Sequence, residues 1–190
     1  MQKEDSTVVD TRSLNQKIRD FEGLEQVWLF GYGSLIYRPG FSYLERRPAF
    51  IKGWERRFWQ GSHDHRGTIA QPGRVATLIE NPNAICHGMA FLITPEVFSY
   101  LDHRERNGYL RFCTPLYFSD GEESTEKALV YVATPENGAY LGPASELEIA
   151  RHIALCHGGS GPNKDYLLNL HKALNELGTP DPHVESIAEH

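Results

Sequence analysis

Short runs in which apolar and polar positions alternate fill the first two thirds of the chain, and helical spacing takes over in the last third. The run Val27-Trp28-Leu29, followed by Phe30-Gly31-Tyr32-Gly33-Ser34-Leu35, predicts a buried strand that stops at a glycine loop. Gly53 to Gln60 sets Trp54, Arg56, Phe58 and Gln60 against Glu55, Arg57 and Trp59, the period of a strand. Arg74–Ile79, His87–Ile93, Tyr109–Phe118 and Ala128–Ala133 read as further short strands, while Tyr43–Ile51 is too mixed to assign. Turns are expected at Arg38-Pro39-Gly40, Pro72-Gly73 and Asn81-Pro82-Asn83, and a polar loop at Gly61–Thr68.

Helix signals are clearer. Thr94-Pro95-Glu96 combines a hydroxyl cap, proline at the first position and an acid in the first turn, and Asn107-Gly108 closes that helix. Ser145 caps a helix with Leu147, Ala150, Ile153 and Ala154 on one face, which the run His157–Pro162 breaks. Asn163 is expected to cap the next helix, with Leu167, Leu170, Leu174 and Leu177 at helical spacing and Gly178 as its stop. Residues 1–26 read as an extension, partly disordered, whose faint pattern at Leu14, Ile18 and Phe21 suits one docked helix. Residues 179–190 read as a polar tail, leaving 27–178 as the domain. Short strands with a few late helices fit an α+β domain whose mainly antiparallel sheet could curl into a barrel.

At 190 residues the chain suits one domain with a sizeable core, or one domain plus tails. Its net charge of −6 argues against a general nucleic-acid binder, so an anionic substrate would be held by local donors. Cys86, Cys113 and Cys156 are odd in number and widely spaced, which points to a reducing compartment rather than a disulfide framework. The polar start Met1–Asp5 has neither the form of a secretory signal nor that of a membrane span, so a cytoplasmic, soluble protein is expected.

Among candidate chemistries, the glycine loop is either a nest of N–H groups for an oxyanion or a turn that only re-aims its strand. It lacks the Lys-Ser/Thr pair of a phosphate-binding loop, and Ile36 stands where a dinucleotide fingerprint has its third glycine. His63-Asp64-His65 and Cys156-His157 make no four-ligand spacing, and Cys86 and Cys113 fall in strand patterns where cysteine acts as a small hydrophobe. Arg46, Arg47, Lys52, Arg56 and Arg57 form a basic patch, read first as Arg stems covering aromatic rings and otherwise as an anion clamp. Glu105 ends the Thr94 helix, where the negative end of the dipole raises a carboxyl pKa, while Arg104 and Arg106 oppose that if they point the same way. A general base for neutral pH gains from such a rise.

Together these blocks resemble a known family. Val27–Ile36, Arg56-Arg57-Phe58-Trp59-Gln60, Ser62 with Asp64–Thr68, Pro72–Val75, Tyr100–Glu105 with Gly108-Tyr109, and Gly161-Pro162-Asn163 with Tyr166-Leu167 are similar, in order, to the ChaC-type γ-glutamylcyclotransferases. The resemblance runs from about Val27 to Leu174. It implies a γ-glutamylcyclotransferase-like small mixed β-barrel with flanking helices, and cleavage of glutathione to 5-oxoproline and cysteinylglycine without metal or cofactor. It implies Glu105 as the catalytic acid–base group. Leu29, Phe30, Gly31, Tyr32, Gly33, Ser34 and Leu35 would bind the substrate. Tyr166 would lend a hydroxyl, unless it is a helix residue packed on the sheet. Cyclotransfer from other γ-glutamyl compounds, and a non-catalytic binding protein, are the alternatives.

Overall fold

The computed structural model describes residues 10–190, so Met1–Asp5 lies outside the described residues. Its scaffold is a pair of long antiparallel strands, β2 (Glu45–Ser62) and β3 (Gly73–Ile93). The sequence pattern divides each into short pieces because register shifts interrupt the alternation, one between Lys52 and Trp54 and one between Arg57 and Gln60. At the first shift Gly53, with φ +86°, faces the stretch between Glu80 and Ile85. Asn81-Pro82-Asn83, expected as a turn between strands, is this bulge; the Asn83 N–H donates to Asn81 Oδ1, and Asn81 Nδ2 donates to Glu55. Most of Tyr43–Ile51, unassigned from sequence, is the first half of β2.

Around this pair the sheet has six strands: β4 (Tyr109–Thr114), β6 (Ala128–Ala133), β1 (Val27–Gly31), β3, β2 and β5 (Tyr117–Phe118), in that spatial order. Among the described residues only the β1–β6 pairing is parallel. Tyr109–Phe118, expected as one strand, is cut at Pro115, which has no N–H to give, and its two halves lie at opposite edges of the sheet. The architecture is α+β with flanking helices, but the hydrogen-bonded order is open, not a closed barrel. Leu29, Phe30, Ile51, Phe58, Leu78, Met89, Phe91 and Leu129 fill the core.

The helices are α1 (Arg12–Asn15), α2 (Phe98–Arg104, after a 3₁₀ turn at Pro95–Val97), α3 (Glu146–Leu155), α4 (Asn163–Glu176) and α5 (Pro182–Glu189). Ser145 caps α3 in a reciprocal capping box with Glu148, and Gly178, at φ +72°, follows α4. Asn163 does not cap α4: its buried amide accepts from the Arg74 N–H and donates to the Arg74 carbonyl, both at 2.8 Å. It staples the helix start to β3. Residues 179–190 differ most from expectation. They hold α5, capped by Asp181, with Val184 and Ile187 buried and His183 Nε2 accepting from the Phe58 N–H.

The basic patch is split. Arg47 and Lys52 lie over the rings of Phe118 and Tyr117, as stems covering aromatics. Arg56 is buried instead, donating to the carbonyls of Tyr32 and His87 and to Asp181. Cys86 and Cys156 are buried, but Cys113 on edge strand β4 is exposed, so it is not the small hydrophobe its pattern suggested. Among the described residues no helix is long and apolar enough to cross a membrane.

Asp181 carries two duties, the α5 cap and, among the described residues, the only carboxylate on Arg56, with side chains 17% and 2% exposed. Removing one member of a buried pair costs about 3–5 kcal/mol, and the two remaining carbonyl acceptors soften that. Asp181→Ala should therefore lose about 3 kcal/mol in urea unfolding. A loss under about 0.5 kcal/mol, the range of ordinary surface changes, would return residues 179–190 to a solvated tail.

Candidate active site

A cleft of about 410 Å³ opens where four segments meet: the loop after β1, the end of β2 with the residues that follow it, the C-terminal end of α2, and the region from Ser160 to Tyr166. Short backbone ties hold its walls. Gly159 and Ser160 N–H groups donate to the carbonyls of Asp64 and His65, and Arg66 donates to the carbonyls of Ser160 and Pro162.

Two glycines make the β1 loop possible, though neither Gly31 nor Gly33 has a positive φ. The requirement is space. A Cβ at Gly33 would stand 2.7 Å from the Tyr166 hydroxyl, and one at Gly31 2.8 Å from Leu35 Cβ. Bonds from Ile36 N–H to the Gly33 carbonyl and from Arg38 N–H to the Ser34 carbonyl curl the loop. The N–H groups of Gly33, Ser34 and Leu35 donate to no described residue, and all three residues line the cleft. Phe30 and Tyr32 line it too. Leu29 and Gly31, expected in the same set, do not; Leu29 is wholly buried in β1.

Glu105 occupies the C-cap of α2, its N–H bonded to the Leu101 carbonyl and its side chain, 16% exposed, lining the cleft. No described residue donates a hydrogen bond to its carboxylate; the closest cation is Arg104, with Nε 3.7 Å from Oε1. Burial raises its pKa, Arg104 opposes the rise, and the Asp64 charge adds to it. The rise expected from sequence is present, with burial as its largest cause. Arg104 does point toward Glu105, whereas Arg106 turns to His103 and Asp64.

Tyr32, Tyr109 and Tyr166 are among the lining residues. Tyr32 donates to the Tyr131 carbonyl and Tyr109 to the Ala76 carbonyl, at 2.6 and 2.8 Å. The Tyr166 hydroxyl accepts from the Ala76 N–H, which leaves its own proton free to donate. Burial pushes the Tyr166 pKa up to about 12, so it is a donor at neutral pH. Asp102, close by, is saturated by Arg111 and the Tyr131 hydroxyl, and Glu80 is exposed on β3; neither is available as a base.

Sequence reasoning missed Arg104 as a latch: it donates to Ser34 Oγ and to the Pro39 carbonyl, tying α2 to the glycine loop. Its place beside Glu105 was the only signal. Asp64, singled out for its histidine neighbours, lines the cleft near Glu105 instead, and among the described residues no three His, Cys, Asp or Glu side chains cluster as metal ligands.

Residues 27–190 match the family described as ChaC-like protein. Glutathione-specific gamma-glutamylcyclotransferase 1 of Danio rerio is 44% identical over 174 residues, covering 87% of this chain and 88% of that protein. The glutathione-specific gamma-glutamylcyclotransferase of Saccharomyces cerevisiae is 36% identical over 200 residues, covering 80% and 86%. A crystal structure of the yeast gamma-glutamyl cyclotransferase specific to glutathione superposes with a TM-score of 0.80 at 32% identity, over 87% of this chain and 95% of that one.

The raised pKa of Glu105 has a thermodynamic consequence. The folded state binds its proton more tightly than the unfolded state, so folding stability falls as pH rises from the ordinary value of 4.5 through the raised one. Glu105→Gln lacks this penalty. Its melting temperature should match the wild type near pH 4 and exceed it at pH 8. A Gln variant less stable at pH 8 than at pH 4, relative to the wild type, would mean that the carboxylate is favourably paired.

Proposed function

This chain belongs to the ChaC-like family, and on that premise we propose that it degrades glutathione by intramolecular cyclotransfer, releasing 5-oxoproline and cysteinylglycine. The observation that carries the reading is a largely buried carboxylate with no hydrogen-bond partner among the described residues, in the same cleft as three consecutive amides that donate to none of them.

The substrate's α-amine attacks its own γ-amide carbonyl and closes a five-membered ring. An ammonium cannot attack, so Glu105 takes its proton. The carbonyl oxygen gains negative charge as the C–N bond forms, and the amides of Gly33, Ser34 and Leu35 are the donors suited to it. The amide C–N bond then breaks as Glu105 returns the proton to the departing amine of cysteinylglycine. The ring nitrogen gives up its second proton by the same route, so 5-oxoproline leaves as the neutral lactam and cysteinylglycine as its ammonium. Tyr166 offers its hydroxyl proton to a substrate oxygen. Folding the γ-glutamyl chain against the loop supplies the orientation that makes attack within one molecule fast. Three unpaired cysteines suit a reducing, cytoplasmic setting.

Purified protein incubated with glutathione, and separately with other γ-glutamyl peptides and amines, should form 5-oxoproline from glutathione fastest; equal rates would assign the broader activity. Glu105→Gln should lower kcat by on the order of 10²–10⁴ while glutathione affinity changes little. Retention of more than about a tenth of wild-type kcat in a folded variant would remove Glu105 from this role.

Gly33→Val tests the loop. Its side chain must displace the Tyr166 hydroxyl, 2.7 Å from the Cβ position, and narrow the cleft. A folded variant with glutathione affinity weakened at least tenfold is expected. Unimpaired binding would reduce the loop to a turn.

A further inference from the structure

The segment just ahead of the family match makes its polar contacts with the part of the chain that presents Glu105. The Thr11 N–H donates to the Arg106 carbonyl at 2.9 Å. The Thr11 hydroxyl reaches the carbonyls of Arg106 at 3.0 Å and of Glu105 at 3.3 Å. Asp10 forms a bridge to Asn107. Four residues on, the Asn15 amide donates to the Tyr109 carbonyl at 3.0 Å and accepts from the Arg111 N–H at 2.9 Å. Thr11 and Asn15 are 2% and 0% exposed, so these bonds are out of water's reach.

The physics of the receiving groups gives these contacts their meaning. β4 is an edge strand, and Tyr109 and Arg111 present its unpaired side; the Asn15 amide stands in for a peptide group of a missing neighbour. Glu105 and Arg106 follow the last turn of α2, a helix of 7 residues, where carbonyls lack partners within the helix. Thr11 donates to both, and the Gly108 N–H adds a further donor to the Arg106 carbonyl at 3.1 Å. Glu105 itself has left helical geometry, with φ −98° and ψ 20°, so nothing in α2 beyond its N–H bond fixes the peptide plane that follows it. Fixing that plane fixes the Glu105 Cα and carbonyl carbon, and with the nitrogen held by its bond to Leu101 these three atoms define the Cα–Cβ direction from which the carboxylate extends. At the other end of α2, Phe21 packs edge-on against Phe98.

We propose that residues Asp10–Asn15, which lie outside the 27–190 family match, form a strap that aims the Glu105 carboxylate, with Thr11 and Asn15 as positioning residues. The inference rests on the proton-transfer role given to Glu105. The hydrogen bonds that Thr11 and Asn15 make to the rest of the chain all go to main chain, so the strap acts on the geometry of the acid rather than on the substrate.

The test uses the 190-residue chain and four variants. Thr11→Val keeps the volume and deletes the hydroxyl, Thr11→Ser restores it, and Glu105→Gln controls for the acid itself. With glutathione, Thr11→Val should lower kcat about tenfold or more while KM moves less than about twofold, because misplacement of a reacting group costs rate rather than binding. Its pH–rate profile should shift on the limb set by Glu105, and Thr11→Ser should return both toward the wild type. Hydrogen exchange of the amides between Glu105 and Tyr109 should quicken in Thr11→Val. Thr11→Ala, measured in parallel, is held to the same outcomes. Wild-type kcat and pH profile in the variants lacking the hydroxyl, whatever their melting temperatures, would overturn the strap; so would unchanged exchange. Full activity in Glu105→Gln would instead remove the role of the acid, so the two failures are distinguishable.

Discussion

A guanidinium buried in the sheet governs the geometry around the cleft. Arg56 keeps its charge out of water only because acceptors meet it on three sides: the Tyr32 carbonyl, the His87 carbonyl and Asp181. These come from the start of the glycine loop, from β3 and from the cap of α5. The C-terminal helix and the loop are therefore fastened to one cation. Tyr32 is held twice, since its hydroxyl also donates to the Tyr131 carbonyl. A loop anchored by main chain and side chain at its first residue cannot fold inward to satisfy its own amides. Gly33, Ser34 and Leu35 can thus keep unpaired donors in a partly buried cleft, a state that a freer loop would relax away.

Two carboxylates near the C-terminal end of α2 divide the remaining work. Asp102 is buried and takes hydrogen bonds from Arg111 and from the Tyr131 hydroxyl, locking α2 to β4 and β6. Glu105, three residues on, takes none. Their difference is one of environment, and it separates a structural acid from one free to exchange a proton. The framework absorbs the cost of the second through the satisfaction of the first. The Asn15 contacts to β4 and the Arg111 contact to Asp102 meet in one residue, so the ties that hold the acid in place are continuous with those that hold the sheet edge.

Much of this was legible in the sequence where local chemistry decides the outcome. Ser145 and Gly178 mark helix limits because capping and the left-handed region are local demands. Glu105 stood out for the same reason, as an acid where a helix gives way to a strand. Features decided by distant partners were not legible. The length of β2 and β3 was hidden by a bulge whose Asn-Pro-Asn resembles a turn. Helix α5 rests on Val184 and Ile187 with Asp181 bound to Arg56, 125 positions away, and the short segment by itself reads as polar. Gly33 was correctly singled out for the absence of a side chain, but the reason is the Tyr166 hydroxyl and not backbone conformation. Thr11 carries no sequence signal at all, because its partners are backbone carbonyls more than ninety positions away.

The proposed reaction explains why the acid is both buried and left without donors. One group must accept a proton from an ammonium, a far weaker acid than a carboxyl group, and later deliver it to another amine, so a carboxylate of ordinary acidity is a poor match in the first direction. Burial is the largest cause of the Glu105 rise, which makes dryness of the cleft and basicity of the acid a single variable. Arg104 pulls against it. That guanidinium lies 3.7 Å from the carboxylate and lowers its pKa, yet the same side chain latches the loop through Ser34 and Pro39. A neutral side chain there would free the acid to become more basic but would release the amide donors from their register with it. The cation's position, beyond hydrogen-bonding distance of the carboxylate and within reach of the loop, is the compromise that lets one residue align both halves of the site.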